Sequence, residues 1–143
     1  MGGSDLMAIT RGRSDWRRAM AVQEIGIRSE GDFQPVLMRL IEDDSPAIRR
    51  HAAMAASRKG DPAAAPVLLN RARLERVDMV RFSLAAAAVA CGADPTEAGA
   101  VLLQAAGRTL VGAYGRRGTA GCAGYDSDTT AALWAIWVDG DEA

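Results

Sequence analysis

The sequence has few aromatic side chains, only two cysteines and no long hydrophobic run. Aromatic residues make up 5% of its 143 residues. Cys91 and Cys122 are too few for a disulfide framework and lack the CxxC spacing of zinc sites. The longest apolar runs, such as residues 84–91, are far shorter than the roughly 18 residues that a membrane-spanning helix needs. With no signal-peptide pattern either, these features predict a cytoplasmic protein that uses no metal or cofactor.

The sequence also lacks a strong excess of either positive or negative charge. The net charge is −1, which divides into +3 up to Arg81 and −4 after it. That basic excess is small for a nucleic-acid-binding protein, so DNA binding is a less favoured alternative. Alanine, the best helix former, is abundant instead, as in residues 85–88. The composition therefore indicates helices with a small-residue core.

A pattern of apolar and arginine residues recurs with a period of about 32 residues. The dipeptides that mark it are Trp16-Arg17, Ile48-Arg49 and Val80-Arg81. Turn signals separate the units at Gly31-Asp32, at Gly60-Asp61-Pro62 and at residues 92–95. Each unit therefore consists of two helices and a turn, and stacking of the units buries apolar faces that single helices cannot bury.

The helix start and stop signals divide the chain into four parts. Residues 1–14 are predicted to be a flexible leader, 15–110 the repeats, 111–127 a Gly-rich insertion, and 128–143 a terminal repeat helix. The predicted helices are 15–29, 33–42, 46–59, 62–74, 77–91, 95–109 and 128–138.

One unit carries the resemblance to a known family. It reads Asp43-x-x-Pro46-x-Ile48-Arg49-x-x-Ala52-Ala53, followed by Gly60-Asp61-Pro62 and Val67-Leu68-Leu69. This unit resembles the HEAT-like repeat family, in particular the short-repeat type first associated with phycobilisome lyases. The ankyrin motif has only a faint, unrepeated echo at 45–53, and the TPR pattern is missing. The resemblance implies an all-α, right-handed α-solenoid of stacked antiparallel helix pairs.

The same resemblance implies a role for the repeated arginines. Asp43 stands six residues before Arg49, and Glu75 stands six before Arg81. In proteins that this repeat resembles, such acid–arginine pairs form a ladder between neighbouring repeats, so both pairs are expected to be structural. The position that corresponds to the acid before Arg17 is itself Arg11, and the ladder is therefore expected to fail at the first repeat.

Candidate catalytic residues are scarce. His51 is the only histidine, and no serine or cysteine nucleophile motif lies beside it. The acidic run 42–44 precedes Pro46, where negative charge is stabilised by the helix dipole. Both features are better explained by structure than by catalysis, and no catalytic residue is predicted.

Candidate binding residues lie on the inner helices. At 100° per residue from Ile48, Arg50 and Met54 point away from the buried stripe, and their repeat equivalents include Arg18 and Phe82. Arginine and aromatic residues are enriched at interface centres, although an ordinary solvated face is the alternative. Arg116 and Arg117 on the Gly-rich insertion are further candidates.

The last predicted helix is apolar nearly all round, which is typical of a buried helix. Its apolar residues are Leu133, Trp134, Ile136, Trp137 and Val138. We therefore expect another protein surface to bury it, and a homodimer through this helix is the favoured arrangement.

Together these features predict a non-catalytic protein-binding scaffold or adaptor. The alternatives are a subunit of a bilin lyase-like enzyme, for which Cys122 offers the accessible thiol, and a weak DNA-binding solenoid.

Overall fold

The computed structural model describes residues 2–106, and these residues form helices and turns without a strand. The helices are α1 (Gly3–Ile9), α2 (Asp15–Ile27), α3 (Gln34–Leu40), α4 (Pro46–Lys59), α5 (Ala65–Leu74), α6 (Asp78–Ala90) and α7 (Pro95–Ala106). A 3-10 turn, Pro62–Ala64, leads directly into α5. The predicted all-α fold is thus confirmed for this part of the chain, with helix ends that differ from the prediction by a few residues.

Local sequence explains where α4 ends and where the next helical segment begins. Gly60 adopts a left-handed conformation, with φ at 62°, and its amide donates to the carbonyl of Ala56 at 3.0 Å. The Asp61 carboxylate then accepts from the amide of Ala63 at 2.9 Å, and Pro62 occupies the first position of the 3-10 turn. Glycine takes a positive φ without steric cost, and aspartate satisfies a free amide of the next helix. The Gly-Asp-Pro turn predicted from the sequence is therefore formed as expected.

Three helices form the centre of the described structure. Helix α4 packs between α2 and α6. Helices α1, α3 and α5 pack mainly on α2, α4 and α6 respectively, while α7 packs on both α6 and α5. The largest fully buried apolar side chains come from both sets of helices: Leu6, Ile25, Leu37, Leu40, Ile41, Ile48, Leu68 and Leu84. A continuous core therefore runs through the packed helices.

Small residues bring the three central helices close together. All the alanines at 52–53, 55–56 and 85–88 are buried. A Cβ added to Gly26 of α2 would lie 3.1 Å from both the Cα and the Cβ of Ala55 on α4, which is too tight for an ordinary contact. The Sγ of Cys91 lies 3.4 Å from the backbone carbonyl of Ala56 and donates to it. The alanine runs thus have two effects: they favour helix formation, and their small side chains allow the helices to pack closely.

The N-terminal residues differ from the predicted flexible leader. Residues 3–9 form α1, whose Leu6 is buried in the core, and Thr10 directly after it is also buried. The Asp5 carboxylate accepts from the amide of Gly2 at 3.1 Å and so closes the first turn. A seven-residue helix shows too little periodicity to be recognised in the sequence. Only its packing against α2 makes it stable.

The predicted Gly-rich insertion, 111–127, and the predicted terminal helix, 128–138, lie outside the described residues. Among residues 2–106, no helix combines the length and the apolarity that crossing a membrane requires.

Candidate functional site

A buried ion pair joins the second and third repeats. The Nε of Arg49 donates to Oε2 of Glu75 at 2.8 Å, and its Nη2 donates to Oε1 at 3.0 Å. Only 1% of the Glu75 side chain is exposed. Its Oε1 also accepts from the backbone amides of Arg76 and Val77, at 3.0 and 3.1 Å. Two parallel charge-assisted hydrogen bonds of this kind combine strength with a fixed geometry.

The partners in this ladder differ from those that the resemblance implied. Arg49 does contact Asp43, but through the backbone carbonyl of Asp43, which accepts from Nη1 at 2.8 Å. Arg81 likewise donates from Nε to the backbone carbonyl of Glu75 at 3.0 Å. The carboxylates of Asp43 and Glu75 instead accept hydrogen bonds from the arginines of the preceding repeat, Arg18 and Arg49 respectively. Arg18 and Arg49 therefore each tie their own loop to the loop of the next repeat.

Arg18 is the first arginine of the ladder, which corrects two predictions. Its Nε donates to the carbonyl of Thr10 at 2.9 Å, and its Nη2 donates to the carboxylate of Asp43. The ladder therefore does not fail at the first repeat. Arg18 also does not belong to an exposed binding row, since its side chain is largely buried in this seam. The register is 31 residues between Arg18 and Arg49 but 32 between Arg49 and Arg81, so the constant spacing pointed to exposed Arg17 instead.

The arginine ladder keeps the carboxyl groups of Asp43 and Glu75 ionised. Burial alone would raise the pKa of Glu75, but hydrogen bonds from Arg49 and from the Val77 amide outweigh it, and the pKa is lowered. Asp43 behaves in the same way: burial opposes its charge, whereas Arg18 and the Ser45 amide lower its pKa. The ladder is therefore a structural element and not a free anion-binding site.

These shifts predict acid sensitivity. A carboxyl whose pKa is lowered in the folded state stabilises the fold fully above its ordinary value, here 3.8 for Asp43 and 4.5 for Glu75. That contribution is lost as the pH falls through the lowered folded-state values. We expect the free energy of unfolding to drop as the pH falls from about 5 towards about 2. The measurement is urea unfolding at a series of pH values.

Two variants identify the origin of this pH dependence. Glu75→Gln should flatten it, because one of the shifted carboxyls is gone. Leu68→Ala, which shortens a fully buried side chain, should lower the stability while keeping the wild-type slope. His51 is present in all three proteins and cancels from the comparison. An unchanged slope in Glu75→Gln would contradict the assignment.

The remaining residues of the predicted binding row lie on α4 and α6. Arg50, Met54 and Phe82 are half-buried, and Phe82 also packs against the core. With the corrected register, the position on α2 that matches Arg50 is Ala19. We call the surface formed by Ala19, Gln23, Arg50, Met54 and Phe82 the outward face. Nε2 of Gln23 lies 3.4 Å from Nδ1 of His51, which links α2 to α4 beside this face.

Reactive groups in the described residues are poorly placed for catalysis. Burial, followed by the charge of Arg50, lowers the pKa of His51. Burial likewise raises the pKa of Cys91 to about 11, so this thiol is protonated and inert at neutral pH. Within residues 2–106, no group of three or more His, Cys, Asp or Glu side chains could hold a metal ion.

A groove between α1 and α2 was missed by the sequence analysis. It has a volume of about 530 Å³ and is lined by Leu6, Ile9, Trp16, Arg17, Met20, Ala21, Glu24 and Arg28. Trp16 is 72% exposed and Met20 48% exposed. The 32-residue spacing aligned Trp16 with Ile48, an apolar position of the repeat that the structure buries. With the corrected register it aligns with exposed Ala47. We call this feature the N-terminal groove.

Arg116 and Arg117, and the terminal helix through which a homodimer was expected, lie outside the described residues.

Comparison with known families shows a match to the model for HEAT repeats over residues 4–90, which is more than half of the chain. The match includes α1. No curated protein and no solved structure matches the chain significantly.

Proposed function

We propose that this chain, which belongs to the HEAT-repeat family, is a non-catalytic scaffold that binds another protein through its outward face. HEAT repeats are commonly protein-interaction scaffolds. The proposal includes the arrangement of the helices: they form antiparallel pairs that stack into a right-handed solenoid. The partner is expected to contact Arg50, Met54 and Phe82.

One observation carries the proposal: helices α4 and α6, which pack against each other, carry a half-buried arginine, methionine and phenylalanine, namely Arg50, Met54 and Phe82. Arg18, Arg49 and Arg81 hold the ladder together, so the partner is not expected to contact them. Arginine, methionine and aromatic residues are enriched at protein interfaces. Because α2, α4 and α6 pack closely through alanines, their surface residues are held in place before binding. A preorganised surface loses less entropy on association.

Site-specific photocrosslinking tests this proposal. A photoreactive amino acid replaces Met54 on the outward face, or exposed Asn70 on α5 as the matched control position. In cells that produce the protein, the Met54 position should yield a discrete crosslinked partner and the Asn70 position should not. Arg50→Glu should abolish the crosslink, whereas Arg76→Glu, the same charge change on an exposed residue before α6, should keep it.

Thermal unfolding of each variant must accompany the crosslinking, so that loss of folding is not mistaken for loss of binding. A partner captured equally from position 70, or retained in a folded Arg50→Glu variant, would contradict a role for the outward face.

A further inference from the structure

The N-terminal groove exposes a helix surface that the other repeats use for stacking. Met20 and Ile27 of α2 stand 31 residues before His51 and Arg58 of α4. On α4, that side packs against α2: His51 meets Gln23, and the side chain of Arg58 lies 3.7 Å from a Cβ built on Gly26. On α2, the helix that lines this side within residues 2–106 is the short α1, and Ile27 is 67% exposed. An apolar stacking surface is therefore uncovered at this end of the described helices.

The rim of this groove is basic. Arg17 lines it, and Arg11 and Arg13 are exposed on the loop between α1 and α2. Of the acids nearby, Glu24 accepts from Arg28 at 3.1 Å, and Asp15 shares Arg18 with Asp43. The three arginines at positions 11, 13 and 17 therefore outnumber the one acid that lacks an arginine of its own. The surface therefore favours an occupant that is apolar in its middle and acidic at its ends.

The C-terminal segment of the chain has this chemistry. Residues 128–143 contain four acids and no basic residue, and the acids flank the apolar stretch 131–138. A two-fold contact between the grooves of two copies would instead place arginines against arginines, which disfavours association. We infer that residues 128–143 dock in the N-terminal groove of their own chain. The apolar stretch covers Trp16 and Met20, and the terminal acids face Arg11, Arg13 and Arg17.

The chain is long enough for this arrangement. Packed helices lie 8–10 Å apart, so the distance from α2 past α6 is about 20–30 Å. The intervening residues 107–127 can span up to about 70 Å when extended. Tethering raises the effective concentration of the segment to the millimolar range, which favours the chain's own groove over that of a second copy. This inference replaces the homodimer expected from the sequence and leaves the outward face free for a partner.

Paramagnetic broadening in the full-length chain tests the docking. A nitroxide label is attached to Asp141→Cys after Cys122→Ser, while buried Cys91 remains as it is. The amide signals of residues 16–20 should be broadened strongly, and those of residues 70–73 on α5 should not. Trp16→Glu and, as a second and milder variant, Arg17→Glu should remove the broadening. Val67→Glu, which changes an exposed apolar residue of α5, should keep it.

A mixed sample separates the chain's own segment from that of a second copy. Labelled chains without the NMR isotope are mixed with isotope-enriched chains without the label. Docking within one chain predicts no broadening at residues 16–20 in this mixture. Broadening in the mixture would mean a dimer. No broadening in the sample whose chains carry both the nitroxide and the isotope would mean that the segment lies elsewhere. Either result overturns the inference.

Discussion

Arg49→Ala should lower the free energy of unfolding by about 3–5 kcal/mol, the range for removing one partner of a buried ion pair. The variant removes both hydrogen bonds that Arg49 donates to the Glu75 carboxylate, of which 1% is exposed. Among the described residues, the charged partner that remains is Arg71, whose Nη2 lies 3.5 Å from Oε2. It also frees the carbonyls of Asp43 and Asp44, which accept from Nη1 of Arg49 at 2.8 and 3.1 Å. Urea unfolding at neutral pH measures the loss.

Arg73→Ala is the matched control. Arg73 donates to Glu97 at 2.6 Å, but both side chains are about half exposed, and exposed pairs contribute only about 0.2–1 kcal/mol. The double variant Arg49→Met with Glu75→Leu removes both charges and should recover much of the lost stability. Equal losses in Arg49→Ala and Arg73→Ala would show that burial does not strengthen the Arg49–Glu75 contact. A double variant as unstable as Arg49→Ala would show that the weakened pairing of the buried Glu75 charge is not the cause.

Gly26→Leu should lower the free energy of unfolding by about 1–3 kcal/mol, because it forces extra atoms into a closed contact. Even a Cβ at this position would meet the backbone of Ala55 at 3.1 Å, and backbone atoms cannot rotate away as a side chain can. Gly26→Ala should therefore also destabilise, although alanine is the better helix former. Thermal unfolding of both variants measures the effect.

Gly3→Ala provides the control for Gly26→Ala. Gly3 also lies in a helix, but an added Cβ would meet the Phe33 ring at 3.5 Å, an ordinary contact. We expect Gly3→Ala to leave the melting temperature unchanged or to raise it. If Gly26→Ala raised the melting temperature as well, helices α2 and α4 would not approach each other closely at this point.

The positions of the helices could be read from the sequence because their signals are local. Gly60, Asp61 and Pro62 act on their own backbone, and the alanine runs raise helix propensity residue by residue. The same signals were too weak for α1, whose seven residues depend on Leu6 being buried. The 32-residue period likewise located the arginines to within one residue.

That one residue decided the candidate site. A shift of a single position turns a helical side chain by about 100°, so Arg17 and Arg18 point in different directions. The assumed register therefore placed Arg18 on a binding surface and aligned Trp16 with Ile48, whereas the structure buries Arg18 against Asp43 and exposes Trp16.

The sequence by itself determined the helical rhythm, the turn residues and the small-residue core of this protein. Only the tertiary structure decided which carboxylate meets which arginine. Glu75 lies 26 residues from Arg49 in the chain, and their contact depends on how far α4 and α6 approach and rotate. The same packing leaves Trp16 and Met20 uncovered beside α1. Contacts of this kind arise between elements, and no local pattern of residues encodes the distance between two helices.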